Sequence, residues 1–289
     1  MQLLKILLGI FSCVCSLVLH AQETYVWCAK SLPTNEYKNP NYYEMYSFDI
    51  QTGDYSLLFR LDSIAFVHPQ MDGNSMLIHS FAFSKDKSII YFLERDGNVF
   101  EYNVATSVIT FKKDITIFDG IGTEFIWHQY HLVDQIEPLN DSLYYIGGYT
   151  SGILNINNYD FQVIRQCPSF AESGSDLELN VSIAKIVRHK GNFIAVNYKV
   201  NIIQPDLYNP ENYIELMKIG SIGTTFNRGI NLLSYQYACD SSVLYNLGPY
   251  ALDGYSDSIY IDRIDLKNKS ITPYKKYVKF RNEKHYGIL

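Results

Sequence analysis

Residues 119–131, DGIGTEFIWHQYH, hold the densest group of side chains with chemical capacity in this sequence. Trp127, His128, Tyr130 and His131 place two aromatic rings and two imidazoles within five residues. On a strand the two histidines point to opposite faces and cannot chelate one metal, whereas on a helical turn they share a face. Three roles stay open, in decreasing order of preference: packing at a sheet edge, an aromatic platform for a sugar or a peptide, and a metal site.

Tyrosine is the most abundant aromatic residue, with 25 copies beside 16 phenylalanines. Most of these rings are expected in the core, because aromatic side chains favour strands and fill the space between packed sheets. Tyr149, Tyr250 and Tyr255 lie instead in predicted loops, where we expect the ring to be exposed. The predicted ligand contacts are therefore Trp127, His128, Tyr130, His131, Tyr149 and Tyr255.

Catalytic motifs do not occur in the sequence in a recognisable form. It contains no Gly-x-Ser-x-Gly elbow and no His-Glu-x-x-His, so we predict no catalytic residue. Two carboxylates that converge in space leave no spacing in a sequence, and such a pair is enough for glycoside chemistry. Glu124, Asp134 and Glu137 are candidates for that role, with solvated or turn positions as the preferred alternative.

Three glycine-rich or acidic segments resemble cofactor or metal loops only superficially. The Gly-x-Gly at residues 120–122 lacks the third glycine and the following helix of a dinucleotide loop. Residues 72–74 and 253–257 begin with Asp-Gly but do not complete the spaced acidic ladder of a calcium loop. We therefore predict that the chain binds neither a cofactor nor a metal.

The N-terminus predicts export. Lys5 precedes an apolar run over residues 6–19, and Leu19 and Ala21 suit the positions before a cleavage site. We predict a signal peptide over residues 1–21 and one mature domain over residues 22–289, which is secreted, periplasmic or held at the outer cell envelope. The apolar run is too short for a membrane span, and the bulky Phe11 disfavours lipidation at Cys13.

Net charge and cysteine count restrict the partners and the source of stability. The formal net charge of −6 disfavours nucleic acid and other polyanions as partners. Cys28, Cys167 and Cys239 remain after the predicted cleavage, and an odd number without a C-x-x-C forbids a fully paired disulfide framework. Stability must therefore come mainly from core packing, with at least two of the thiols buried in strands.

Residues 78–113 predict a four-stranded antiparallel meander. Apolar runs at 78–83, 88–94, 98–104 and 108–112 are separated by turn residues at 84–86, 96–97 and 105–107. The run over 88–93 is almost wholly apolar, so it needs burial on both faces. One isolated sheet cannot provide that burial, and neighbouring copies of the same unit are required.

Such copies recur about every 50 residues. An Asp or Asn between the third and fourth strands marks each copy, and it occurs at Asp49, Asn103, Asn155 and Asp265. An Asx side chain can accept from backbone N–H groups two residues on, and Gly or Asn tolerates the positive φ of tight hairpins. Between Asn155 and Asp265 we predict a degenerate copy at residues 214–221, with Lys218 in the Asx position, after an inserted loop over residues 200–212.

Five such units resemble the blades of a β-propeller. The resemblance is to the WD-like and YVTN-like repeats of secreted bacterial proteins. It rests on the pattern alone, since the chain has no Trp-Asp dipeptide at a strand end and no YVTN string. It implies an all-β propeller of about five four-stranded antiparallel blades, with a β-sandwich as the alternative fold.

Two details of the predicted propeller bear on function. The first unit shows only three strands, and we expect a strand from residues 277–289 to complete it and close the ring; the alternatives are an open ring or completion by another chain. We also expect the loops between blades, and those between the first and second strands of a blade, to converge at one ligand-binding end.

Export, repeats and missing catalytic motifs favour a non-catalytic propeller that binds a protein or glycan ligand at the cell envelope. A secreted propeller-type hydrolase or lyase that acts on sugars or lactones is the alternative. A propeller that further domains normally continue is a third hypothesis.

Overall fold

The computed structural model of the chain describes residues 24–30, 42–48, 52, 54–62, 78–94, 97–115, 135–148, 151–165, 183–189, 191–197, 201–209, 211–218, 232–234, 243–249, 258–278 and 285–288. These residues form 20 strands in five four-stranded sheets, and neighbouring strands in every sheet are antiparallel. No helix in these ranges is long and apolar enough to cross a membrane.

Four of the sheets are meanders whose strand order follows the chain. Blade 2 consists of β4 (Ile78–Phe83), β5 (Ile89–Glu94), β6 (Asn98–Asn103) and β7 (Val108–Asp114). Blade 3 consists of β8 (Gln135–Pro138), β9 (Leu143–Gly147), β10 (Ser151–Asn155) and β11 (Asp160–Arg165). Blade 4 consists of β12 (Ile183–His189), β13 (Asn192–Asn197), β14 (Asn201–Pro205) and β15 (Tyr213–Lys218). Blade 5 consists of β16 (Leu232–Ser234), β17 (Val243–Pro249), β18 (Ser258–Asp265) and β19 (Ser270–Val278).

Blade 1 joins the two ends of the chain. Its own strands are β1 (Thr24–Lys30), β2 (Tyr42–Phe48) and β3 (Tyr55–Asp62), and its fourth strand is the C-terminal β20 (His285–Ile288). β20 pairs with β1, where Cys28 lies opposite Ile288, and β20 also contacts β17 of blade 5. The prediction that the C-terminal residues complete the first blade is confirmed for residues 285–288, whereas residues 277 and 278 belong to the last strand of blade 5. The ring is closed rather than open.

The core lies between neighbouring blades. The strand β5 shows why, because all of its residues but the first are buried, as its apolar composition predicts. Phe92 packs into a cluster shared with Tyr43 and Met45 of blade 1, and Leu93 packs into a second cluster shared with Ile136 of blade 3. Further apolar clusters join blade 3 to blade 4 and blade 4 to blade 5. The chain is therefore a five-bladed β-propeller, and neither a sandwich nor a single sheet.

The hairpins between the third and fourth strands of blades 2, 3 and 5 share an Asx side-chain cap and one residue with a positive φ. Asn103, Asn155 and Asp265 each accept a backbone N–H through the side-chain Oδ1, from Thr106, Asn157 and Asn268 at 2.9–3.0 Å. The fourth residue after each Asx has a positive φ: Ser107 at 56°, Tyr159 at 58° and Lys269 at 49°. The predicted capping by the Asx side chain is confirmed, with the N–H two residues on in blade 3 and three residues on in blades 2 and 5. At these three hairpins the positive φ falls on residues other than Gly or Asn, whereas Gly97 and Gly191 supply it in the β5–β6 and β12–β13 hairpins, as expected.

Blade 4 departs from its prediction in register. Residues 200–212 do not form an inserted loop, since β14 occupies residues 201–205 with Ile202 and Ile203 buried. Lys218 ends the fourth strand, so it does not occupy the Asx position. Asp206 does, because its Oδ1 accepts the N–H groups of Tyr208 and Asn209 at 3.0 and 3.2 Å. Pro205 suggested a loop, but a proline is tolerated at the end of a strand, where its missing N–H breaks no ladder bond.

The antiparallel order gives the ring two different ends. In blade 3, the hairpins after Pro138 and after Asn155 lie at one end, and Gly147 and Arg165 lie at the other. We call the first end the hairpin rim; it carries the first-to-second and third-to-fourth strand hairpins. The connection rim carries the second-to-third strand hairpins and the links between blades. The expectation that blade links and first-to-second hairpins converge is therefore wrong, because they lie on opposite rims.

Candidate functional site

The predicted ligand contacts lie outside the described residues. This is true of Trp127, His128, Tyr130, His131, Tyr149 and Tyr255, and also of the candidate acids Glu124 and Asp134. The described strand ends that flank these segments lie on the connection rim. Among the described ranges, no three His, Cys, Asp or Glu side chains form a group that could hold a metal ion. The structure leaves these predictions untested.

A cavity of about 310 Å³ opens on the hairpin rim where blades 2, 3 and 4 meet. Its lining comes from four short stretches of the three blades, and it includes the apolar Pro138 and Leu139 beside polar and aromatic side chains. Phe83 and Lys85 come from blade 2, Glu137, Asp141 and Tyr144 from blade 3, and Arg188 from blade 4. Ser84 and Asn140 add smaller polar groups. Ligand pockets begin at roughly 300 Å³, so the cavity suits a small ligand or one group of a larger ligand.

Lys85 is carried by a tight turn that its own side chains hold. The Asp86 carboxylate accepts the Ser84 hydroxyl at 2.7 Å and the Ser88 hydroxyl at 2.8 Å, and these hydrogen bonds lower the pKa of Asp86 to about 2. The backbone passes through a positive φ of 58° at Lys87. The turn therefore presents Lys85 to blade 3 at a defined position.

The facing turn on blade 3 is organised by Asn140. Its Oδ1 accepts the N–H groups of Ser142 and Leu143, both at 2.9 Å, so its amide NH2 group is the part that remains for a ligand. Asp141 reaches across to Lys85, and the two charged atoms are 2.7 Å apart. The Asp141 hydrogen bond and charge raise the pKa of the Lys85 amine. The pair closes the blade 2 side of the cavity and neutralises its own charge.

Hydrogen bonds of Tyr144 and Gln135 join blade 3 to blade 2 and to blade 4. The Tyr144 hydroxyl donates to the Phe83 carbonyl oxygen at 3.0 Å, and its ring packs edge-on against Tyr91 at a centroid distance of 5.0 Å. On the other side, the Gln135 amide donates to the Ile186 carbonyl at 2.6 Å and accepts the Ile186 N–H at 2.5 Å. These bonds join neighbouring blades directly, and they hold the walls of the cavity in place.

Glu137 and Arg188 define the electrostatics of the cavity. Desolvation raises the pKa of the partly buried Glu137 carboxyl to about 8, although the Arg188 guanidinium and the Arg188 backbone N–H both act to lower it. Glu137 is therefore mainly a neutral carboxylic acid at neutral pH. Arg188 is exposed, donates to the Leu139 carbonyl and lies over the Phe193 ring at 5.3 Å from the centroid.

Together these groups make the cavity rich in hydrogen-bond donors. A protonated Glu137, the Asn140 amide, Lys85 and Arg188 can all donate to a ligand, whereas Asp141 is already paired with Lys85. Such a lining suits a ligand with many oxygen acceptors. Of the residues in this cavity, sequence reasoning had singled out only Glu137 as a candidate acid. It missed Lys85 and Arg188, because nothing local indicates that hairpins of different blades meet.

Comparison with known proteins assigns no family to this chain. No protein-family model matches this chain, and no curated protein matches it. Among solved structures, the chain is similar to dihydro-heme d1 dehydrogenase NirN in complex with DHE, at 11% identity and a TM-score of 0.38. The match covers 88% of this chain and 44% of that chain, so the chain spans less than half the length of that protein. The fold assignment rests on the five sheets themselves.

Proposed function

We propose that this chain is an exported, non-catalytic β-propeller that binds a glycan or protein ligand at the cell envelope. The observation that carries this proposal is the donor-rich cavity on the hairpin rim, where blades 2, 3 and 4 each supply a lining side chain. Propeller rims concentrate loops from several blades, so a binding site there needs no change to the core. We also propose that the blades belong to the WD-like or YVTN-like kind.

Binding is favoured over catalysis by the charge state of the two carboxyl groups in the cavity. Glycoside hydrolysis needs a protonated acid and a second, ionised carboxylate roughly 5 to 9.5 Å away. Glu137 fits the first role, but Asp141 is held at 2.7 Å from Lys85 by an ion pair that competes with any role as base or nucleophile. The described cavity therefore supplies one half of a catalytic pair.

Export and partner class rest on the sequence. The predicted signal peptide over residues 1–21 supports a secreted, periplasmic or envelope location, and the net charge of −6 argues against nucleic acid. Neither argument depends on the cavity.

The test uses protein purified from cells that express the full chain. It is applied to a glycan array and to a panel of purified envelope proteins, together with Arg188→Met and with the control Lys113→Met, an exposed lysine on β7 outside the cavity. We expect a specific ligand whose binding is lost in Arg188→Met and unchanged in the control. Binding that survives the Arg188 change would show that Arg188 is not required for the ligand, and no binding to any member of either panel would overturn the proposal.

A propeller-type hydrolase or lyase for sugars or lactones is the second candidate, and one observation favours it. A carboxylic acid with a pKa near 8 is a suitable general acid at neutral pH. In that case Glu137→Gln should abolish turnover on a responsive substrate while the variant stays folded at neutral pH, with a melting temperature no lower than that of the wild type. Absence of turnover over a broad glycan and lactone panel would exclude this candidate.

A further inference from the structure

We propose that the cavity on the hairpin rim recognises a single carboxylate group at the end of a glycan, such as a terminal uronic acid, with Arg188 as its ion-pair partner. This inference rests on the proposed binding function of the same cavity and adds the chemical class of the ligand. It follows from the position of Arg188, the charge balance of the cavity, and the size of the space.

Most N–H groups of the Arg188 guanidinium are available to a ligand, since one described hydrogen bond uses the group. Its guanidinium carries five N–H groups, and its described interactions are one donation to the Leu139 carbonyl, a contact with the Phe193 ring and an electrostatic attraction to Glu137. The first two orient the planar group without neutralising its charge. A planar guanidinium held in this way matches the two oxygens of a carboxylate, which it can bind through two parallel hydrogen bonds.

The charge balance leaves Arg188 as the unmatched cation of the cavity. Lys85 and Asp141 cancel each other across their 2.7 Å contact. Burial keeps Glu137 protonated at neutral pH, so it does not compensate the guanidinium. The described lining therefore carries a local charge of about +1 in a chain whose formal net charge is −6.

A positive cavity on a negative chain favours a ligand with one acidic end group over a polyanion. The negative chain as a whole repels a polymer with many charges, whereas the cavity attracts one carboxylate at short range, where screening is weak. The volume of about 310 Å³ also limits the occupant to one or a few small groups. A terminal acidic sugar satisfies both limits.

The remaining polar groups favour a sugar over an acidic peptide. The Asn140 amide and the protonated Glu137 provide hydrogen-bonding groups around the cation, and Phe83 adds an aromatic wall. A sugar acid presents a ring of hydroxyl oxygens next to its carboxylate, whereas an acidic side chain of a peptide presents a carboxylate on an apolar stem. The lining matches the former.

The inference also predicts the pH dependence of binding. The groups that face Glu137 are Arg188 on β12, Lys85 on the β4–β5 turn, and Asp141 and Tyr144 on blade 3. Of these, the Tyr144 phenol stays neutral, because desolvation raises its pKa, and the hydrogen bond and charge of Asp141 raise the pKa of the Lys85 amine. Above about pH 8 Glu137 becomes an anion beside Arg188 and repels the ligand carboxylate.

The experiment is titration calorimetry with methyl β-glucuronoside as the acidic probe and methyl β-glucoside as its neutral match. We expect the glucuronoside to bind and the affinity to fall about tenfold between about pH 7 and pH 9, in step with the loss of the Glu137 proton. Arg188→Met should weaken binding about 10- to 100-fold, the range for loss of charged hydrogen bonds, and Lys113→Met should leave it unchanged. Glu137→Gln should retain binding and lose most of the pH dependence.

Four outcomes separate this inference from the proposed function. Equal binding of the two glycosides, insensitive to Arg188→Met, overturns the carboxylate assignment and leaves a neutral-glycan function standing. Binding of N-acetyl-glutamate amide but not of the glucuronoside overturns the glycan assignment. Binding of polygalacturonate in preference to the glucuronoside overturns the end-group assignment. No binding of any probe, together with a negative glycan and protein panel, overturns both proposals. Thermal unfolding of each variant checks that loss of binding is not loss of fold. Arg188→Lys, which keeps the charge but not the planar guanidinium, is a second variant for the same comparison.

Discussion

The inner face between blades 2 and 3 contains two environments built by the same strands. Toward the connection rim, Leu93, Val99 and Ile146 are fully buried in an apolar cluster. At the hairpin rim, Lys85 and Asp141 pair with side chains that are 76% and 67% exposed. The first environment depends on the alternation of side chains along strands, and the second on where hairpins of different blades cross. Stability and binding therefore depend on different residues of the same blades.

The largest effect that separates the two environments is expected in the apolar cluster. Phe92 is fully buried between blades 1 and 2, so Phe92→Ala should lower the free energy of unfolding by about 3–5 kcal/mol through lost transfer energy and a residual cavity. Urea unfolding followed by fluorescence measures this change. Val108→Ala, at a residue that is 53% exposed on β7, is the control and should change stability by less than about 0.5 kcal/mol. Similar losses for the two variants would contradict a core that lies between the blades.

An intermediate effect is expected at the polar end, and it depends on pH. The folded state keeps the Glu137 proton up to about pH 8, whereas the unfolded chain releases it near the ordinary value of 4.5. The folded state thus binds more protons in this window, so the contribution of Glu137 is fully present below about pH 4.5 and is lost as the pH rises through 8. A change from 4.5 to about 8 corresponds to about 5 kcal/mol for a fully desolvated carboxyl. Glu137 is only partly buried, and solvent screening reduces this value, so we expect the stability of the wild type relative to Glu137→Gln to fall by on the order of 2 kcal/mol across that window. Parallel pH profiles for the two proteins would show that Glu137 is not desolvated.

The smallest effect is expected in the outer hairpins, where the same backbone strain has two different surroundings. Lys269 is exposed at a φ of 49°, and a glycine there removes steric strain, so Lys269→Gly should raise stability by up to about 1 kcal/mol. Tyr159 has a φ of 58°, but its hydroxyl donates to Glu101 of blade 2 at 2.5 Å. Tyr159→Gly should therefore destabilise the protein by about 2 kcal/mol, because the lost contact outweighs the relieved strain. If Lys269→Gly and Tyr159→Gly shift the melting temperature in the same direction, the role of Tyr159 as a contact between blades is contradicted.

The accuracy of the sequence predictions follows the range of the interactions involved. Strands of blade 2 were predicted to within two residues at each end, because alternation and turn residues act over a few positions. Blade 4 was misassigned because Pro205 and residue 210 suggested a loop, and the buried pair Ile202 and Ile203 was too short a signal to outweigh them. Asp206, 51 residues after Asn155, restores the period that the misassignment had obscured.

The candidate site was predictable only in fragments. Glu137 was identified as an acid and residues 140–141 as a turn, but no local signal linked them to Lys85, 52 residues before Glu137, or to Arg188, 51 residues after it. Separations close to one repeat place equivalent positions of successive blades side by side. A search for polar residues one period apart on first strands and first hairpins would therefore have found this cavity.

The sequence by itself determined the strands, the Asx turns and the repeat near 50 residues, because each depends on residues a few positions apart and on a pattern that recurs. Only the tertiary structure decided that the chain ends share blade 1, that the two kinds of loop lie on opposite rims, and that three blades enclose one cavity. It also decided the ionisation of Glu137, because desolvation depends on which atoms of other blades surround a carboxyl group.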